Sequence, residues 1–251
     1  EITIDFGEHL TGYFSFSVRS TGLAADGPLR FKLTFGEVPS EVAVSFDSYK
    51  EGLSRAWLQD EVVSVMYVPQ TVTLPRRLAF RYVKIELLGS SPYYDFNIHD
   101  MKCMAQTSAK NIPEELPQAV DPMIRKIDRV GLNTLKECMQ TVYEDGPKRD
   151  QRLWIGDLYL EALGNNYSYK QYDLTKRCLY LLAGLSDLNG YLLATVIENP
   201  VPRAQDKQFL YEYALLYNVT LKDYLETTGD METVKDLWPV AKKQLDIVRT
   251  N

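Results

Sequence analysis

"NIPEELPQAVDP" occupies Asn111–Pro122, and the period of the apolar residues changes across it. Upstream, residues 1–107 alternate. In "YFSFSVR" Phe14, Phe16 and Val18 share one face, opposite Tyr13, Ser15, Ser17 and Arg19. "RFKLTF" sets Phe31, Leu33 and Phe35 against Arg30, Lys32 and Thr34, and "EVVSVMYV" and "FRYVKIEL" are rich in β-branched and aromatic residues. A period of two with these residue types predicts strands with one buried face. The clusters "TGLAADGP", "EVPSE" and "GSSPYYD" supply turns between them. Downstream, Ile124, Ile127, Leu132, Leu135, Cys138, Met139 and Val142 recur three or four apart, a helical stripe that Asp121-Pro122 is well suited to start. Further helices are predicted near 156–167, 172–187, 205–228 and 231–249. "LYLEALGNNY" and "RCLYLLAGLSDL" are apolar nearly all round, which predicts burial among other helices. The expected organisation is an antiparallel β-sandwich over 1–107, a linker at 108–120 carrying Pro113 and Pro117, and a helical domain over 121–251 that stops short of a closed bundle.

Bulk composition narrows the function. Apolar residues make up 45% of the 251 and charged residues 25%, as in an ordinary globular protein. A net charge of −6 argues against nucleic acid as a partner, since phosphate binding needs a basic surface. No apolar run approaches the roughly 20 residues that span a bilayer. The opening "EITIDFGEHL" reads as the inside of a domain, with no leader visible. Cys103, Cys138 and Cys178 lack metal-ligand spacing and read as buried free thiols. His9 and His99 each stand alone, so neither a metal site nor a Ser-His-Asp arrangement is expected. No cofactor is expected either.

"EDGPKRDQRLWIGD", Glu144–Asp157, holds four acids and three bases around a Gly-Pro break. Helix-start chemistry explains part of this. Pro147 ends one helix, Asp145 or Asp150 caps the next, and the basic residues pair with the acids. It does not explain why Asp157 lies on the same turn as Trp154 in an apolar helix. If the helix runs from about Asp150, then Asp150 and Asp157 are about two turns apart on one face, and Asp145 can fold over the same spot. Carboxylates accept hydrogen bonds from hydroxyls, arginines fix polar atoms, and an indole stacks on the apolar face of a sugar ring. A carboxyl crowded by other carboxylates holds its proton longer and can serve as a general acid.

The stretch "EDGPKRDQRLWIGDL" resembles the motif of bacterial α-L-rhamnosidases, glycoside hydrolase family 78, in which variants of D-x-P-x-R-(D/E)-x-R/K-L-x-W-x-G-D occur. "ITIDFGEHLTGYFSFSV", "RFKLTFGE" and "RRLAFRYVKIEL" resemble the β-sandwich that precedes the catalytic domain there, and "EYALLYNVTLKDYLETTGD" resembles an inner helix of its (α/α)₆ barrel. The resemblance implies the fold class: an antiparallel β-sandwich followed by the N-terminal part of an (α/α)₆ barrel. It implies inverting hydrolysis of terminal α-L-rhamnosyl bonds and a rhamnose-containing carbohydrate as partner. By the same resemblance Asp150 is the general acid, Asp145 and Asp157 bind the sugar, Trp154 packs on it, and Arg149 and Arg152 orient these groups. In family versions reading R-D-E-R the Glu aligns with Gln151, so Asp150 and Gln151 stand as alternatives for the acid position. An inverting enzyme also needs a second carboxylate as base, roughly 6.5–9.5 Å away. The resemblance places that base beyond Asn251, so these residues by themselves are expected to be inactive. Relatives that degrade glycans are often exported, which leaves a periplasmic or secreted location open. The alternative function is a carbohydrate-binding or purely structural sandwich attached to a non-catalytic helical segment.

Other residues read more plainly. Glu198 and Arg203 sit in the Pro-rich "ATVIENPVPRAQD", and a solvated loop is the simpler reading than a substrate contact. Tyr211, Tyr213 and Tyr217 fall on one predicted helix and read mostly as core, with Tyr213 able to reach the cavity. Gly229 in "TGD" reads as a helix stop. Glu8 and Glu37, each in "FGE", read as strand ends.

Overall fold

The structure, a computed structural model, describes every residue except Leu23, Glu51, Leu53, Asp206 and Asn251. Leu23 in the predicted "TGLAADGP" turn, and Asp206 near the predicted start of the 205–228 helix, therefore lie outside the described residues. The chain divides into two compact units, Glu1–Gln106 and Thr107–Asn251.

The first unit is an antiparallel sandwich built on one long strand, β1 (Ile2–Thr21). It is joined by β2 (Leu29–Gly36), a short helix α1 (Pro39–Ala43), β3 (Asp60–Val65), β4 (Gln70–Thr73), β5 (Leu78–Gly89) and β6 (Asp95–Ala105). The strand order is β3-β2-β5-β1-β4, with β6 also on β1. Residues 2–12 of β1 pair with β5, and residues 12–21 pair with β6. The exchange turns on Gly12, where a Cβ would lie 2.2 Å from the Met104 carbonyl oxygen. Phe14, Phe16, Phe31, Phe35 and Phe80 are buried, and several of them meet edge to face. Phe14, Phe16, Phe31 and Phe35 are inward positions that the alternation assigns. Thr34 is the exception: predicted to face outward, it is buried as well.

The second unit is helical. Its helices are α2 (Pro122–Cys138), α3 (Ile155–Tyr167), α4 (Tyr172–Gly184), α5 (Tyr211–Thr228) and α6 (Met231–Thr250). Asp121 caps α2 by accepting from the Met123 N–H at 2.7 Å, with Pro122 in the first turn. Residues 107–120 lie along this unit: Thr107 Oγ1 donates to the Lys136 carbonyl at the end of α2, and Asn111 donates to the Tyr169 carbonyl. Gly229, at φ +71°, ends α5 as the sequence indicates. Three short strands, β7 (Leu153–Trp154), β8 (Thr195–Ile197) and β9 (Arg203–Ala204), form a sheet in the order β7-β8-β9.

Several expectations are corrected. The helix predicted from 205 starts at Tyr211, because Arg203–Ala204 pairs with β8. α2 ends at Cys138, four residues before the end of the apolar stripe. Ile124 and Ile127, predicted to be part of that stripe, are exposed, as are Leu160 and Tyr167 of α3, so α3 is not buried on every side. Among the described residues no helix is long and apolar enough to cross a membrane. None of the three cysteines is in a disulfide; Cys178 is fully buried, and Cys103 and Cys138 are only partly buried.

Candidate active site

The charged stretch folds as a loop closed on itself. The Asp145 N–H donates to the Arg152 carbonyl at 3.0 Å, and the Arg152 N–H donates to Asp145 Oδ1 at 3.2 Å. Inside this clasp the Gln151 N–H donates to the Gly146 carbonyl, and Gln151 Nε2 donates to the Pro147 carbonyl at 2.7 Å. The turn so formed holds Asp150 at φ +67° and Gln151 at φ +51°. Two consecutive side-chain-bearing residues in the left-handed region cost about 1–2 kcal/mol each, and such strain persists only where the surroundings impose it. The helical reading from Asp150 is therefore wrong. Leu153–Trp154 is a strand paired with β8, the Ile155 N–H donates to the Ala194 carbonyl, and α3 begins there.

The three aspartates nonetheless come together, by a different route from helical spacing. Asp145 sits at the loop entry, Asp150 in the strained turn and Asp157 in the first turn of α3. Burial pushes the Asp145 carboxyl up to about 6. The Arg152 N–H opposes that rise, and the charges of Asp150 and Asp157 add to it. Burial also raises Asp157, opposed by its own backbone N–H. Arg149 Nη1 lies 3.8 Å from Asp150 Oδ1. Arg152 turns its guanidinium to Gln205 Oε1 at 2.9 Å and serves Asp145 through its backbone. Trp154 is half-buried. Its ring meets Tyr213 edge to face at 6.5 Å, and its indole N–H has no acceptor among the described residues.

Some members of the cluster escaped the sequence reading. Glu144 is buried. Glu161, one turn beyond Asp157 on α3, is held well above the usual carboxylate range by burial, and then by the charges of Asp157, Asp145 and Glu144, while a hydrogen bond with Cys138 opposes the rise. Its i+4 spacing from Asp157 was the available signal. A groove of about 720 Å³ runs along α2 and α3 and is lined by Glu161, Cys138 and Leu160 among others; the three aspartates do not line it. Among the described residues no three His, Cys, Asp or Glu side chains are placed to hold a metal.

Glu198 is not a solvated loop acid. It accepts from Arg177 Nη2 at 2.7 Å and from the Thr141 hydroxyl, and Arg177 Nε donates to the Thr141 carbonyl. This latch ties the hairpin β8–β9, which anchors Trp154, to the loop after α2 and to α4. Arg177 is about half exposed, so the pair is screened. Arg177→Ala is expected to cost about 1 kcal/mol. In thermal unfolding this is a fall of about 2–4 °C; an unchanged melting temperature would refute the latch. Arg203 donates to the Asn199 carbonyl and stays on the exposed side of the hairpin.

Residues 1–105 match the glycosyl hydrolase family 78 α-rhamnosidase N-terminal domain, and residues 118–251 match the bacterial α-L-rhamnosidase six-hairpin glycosidase domain. The chain belongs to glycoside hydrolase family 78. Its fold is an antiparallel sandwich followed by part of an (α/α)₆ barrel. A rhamnosidase from Klebsiella oxytoca, solved with rhamnose bound, is 41% identical with a TM-score of 0.93, over 98% of this chain and 47% of that one. Rhamnosidases of Bacillus sp. GL1 (20% identity, TM-score 0.76, 97% of this chain and 23% of that one) and Dictyoglumus thermophilum (17%, 0.72, 99% and 26%) share the fold. The chain thus spans about half the length, or less, of the structures it matches. No curated protein sequence matches it.

Proposed function

We propose that this chain supplies the acid side and part of the sugar-binding wall of a site that hydrolyses terminal α-L-rhamnosyl bonds with inversion. One observation carries the reading: Asp145, Asp150 and Asp157 lie near enough for the charges of the second and third to act on the first, beside a half-buried tryptophan. Asp150 is the group that protonates the departing glycosidic oxygen, and its strained turn supports that role, since such geometry collects at functional sites. Gln151 spends its side chain on the Pro147 carbonyl and bears no titratable proton, which leaves it the role of bracing the turn. Asp145 and Asp157 accept from sugar hydroxyls, Trp154 packs on the ring, and Arg149 keeps a positive charge near Asp150. A second carboxylate across the ring activates the water, as inversion requires. The partner is a rhamnose-containing carbohydrate, and the rhamnose bound in the Klebsiella relative supports it.

The test is the anomer released first. Proton NMR of the full-length protein acting on an α-L-rhamnoside is expected to show β-L-rhamnose before mutarotation. The α-anomer appearing first overturns inversion, and no turnover overturns the activity.

A further inference from the structure

The three tyrosines at the start of α5 have different fates. Tyr217 is fully buried and donates its hydroxyl to the Leu179 carbonyl at 3.2 Å, a core residue. Tyr211 is exposed and meets Phe209 edge to face. Tyr213 lies between these extremes. Its ring packs against the helical core and stands at 86° to the indole of Trp154. Among the described residues nothing pairs with its hydroxyl. The ring tip lies directly on Gly156: a Cβ there would sit 2.5 Å from Cζ and 2.7 Å from the hydroxyl oxygen, distances that real side chains do not adopt. Gly156 has no left-handed backbone and sits in the first turn of a helix, where glycine is the weaker choice. The close approach of Tyr213 is a reason for glycine at that position. It also puts the phenol next to the Gly156–Asp157 peptide, and Asp157's charge acts on that phenol.

We propose that Tyr213 is a sugar-contact residue, its hydroxyl meeting a hydroxyl of the bound deoxyhexose beside Asp157, and that Gly156 is glycine to admit it. This rests on the rhamnosidase reading above. It turns two residues of the loop–helix junction and one from α5 into a single wall: Trp154 against the ring, Asp157 and Tyr213 against its hydroxyls. A phenol both donates and accepts, so it can serve a sugar hydroxyl that also donates to Asp157.

The experiment compares Tyr213→Phe, Gly156→Ala and Asp157→Asn with the unmodified full-length protein, on an aryl α-L-rhamnoside and on its monodeoxy analogues, with melting temperatures alongside. Tyr213→Phe keeps the ring and removes an unpaired hydroxyl, so its melting temperature is expected to stay put while kcat/KM falls about 3- to 10-fold. Against the analogue lacking the contacted hydroxyl, that loss should vanish. Gly156→Ala displaces the ring and is expected to lower kcat/KM further. Unchanged kinetics in Tyr213→Phe, with the unmodified protein active and Asp157→Asn impaired, overturns the proposal and leaves the rhamnosidase reading intact. An unmodified protein inactive on every α-L-rhamnoside overturns both.

Discussion

Asp150→Asn is expected to slow hydrolysis of an α-L-rhamnoside with a poor leaving group by about 10²- to 10⁴-fold, the usual contribution of a positioned acid. The same substitution should cost far less with a nitrophenyl rhamnoside, whose leaving group departs without a proton. Asparagine matches aspartate in shape, tolerates the left-handed conformation at φ +67° and carries no titratable proton, so the turn survives and only the chemistry is lost. Asp145→Asn and Asp157→Asn serve as the contrast. In the proposed roles they bind the sugar rather than protonate the leaving group, so their losses should be similar on both substrates. Gln151→Glu is the second contrast. If it outpaces the unmodified protein while Asp150→Asn stays within about threefold on the poor substrate, the acid position belongs to residue 151, and the assignment of Asp150 is wrong.

The sequence grouped Asp145, Asp150 and Asp157 by an argument that the fold replaces. Helical spacing from Asp150 to Asp157 was legible only on the assumption that the helix begins at Asp150. It begins at Ile155, because Leu153–Trp154 finds its hydrogen bonds in Thr195–Val196, some forty residues downstream. No local pattern contains that pairing. "TVI" is too short a run to announce a strand, and the prolines after it hide the hairpin. Glu198 escaped for the same reason: a loop acid looks solvated until Arg177, on another helix, is seen beside it. What local chemistry decides was readable: the alternating phenylalanines of β1 and β2, the Asp121-Pro122 start of α2, the glycine that ends α5. The clustering of Asp145 with Asp157 was legible as a suspicion, because helix-start chemistry left Asp157 beside Trp154 unexplained. Gly156 was visible in the motif, but its reason lies in Tyr213, two helices away.

Glu161 tests how far this cluster is built at the expense of stability. Its Oε2 is buried and has no hydrogen-bond partner among the described residues. The groups that act on it include Cys138 from the end of α2, Glu144 and Asp145 from the loop and Asp157 from its own helix, and it acts in turn on the Tyr143 and Cys178 side chains; the carboxylates among these oppose its ionisation. In the unfolded chain the carboxyl ionises near its ordinary value of 4.5; in the folded protein it holds its proton to well above that. The native state therefore binds more protons over that window, and stability falls as pH rises from about 4.5 until the folded carboxyl itself ionises. Asp145 contributes the same sign between 3.8 and about 6. Glu161→Gln removes the ionisation and keeps the shape. It is expected to be as stable as the unmodified protein at pH 4 and more stable at pH 8, because it is spared the ionisation of a buried carboxyl beside like charges. Glu161→Ala separates charge from packing: it should lose stability at pH 4, where only the side-chain volume is missed, and recover part of it at pH 8. Thermal unfolding from pH 4 to 8 reads all three curves. Parallel curves for the unmodified protein and Glu161→Gln would mean that Glu161 titrates normally. A shallower curve for Glu161→Gln would show that the protein tolerates a destabilising acid beside Asp145 and Asp157, as expected of a residue kept for the electrostatics of the proposed site rather than for the fold.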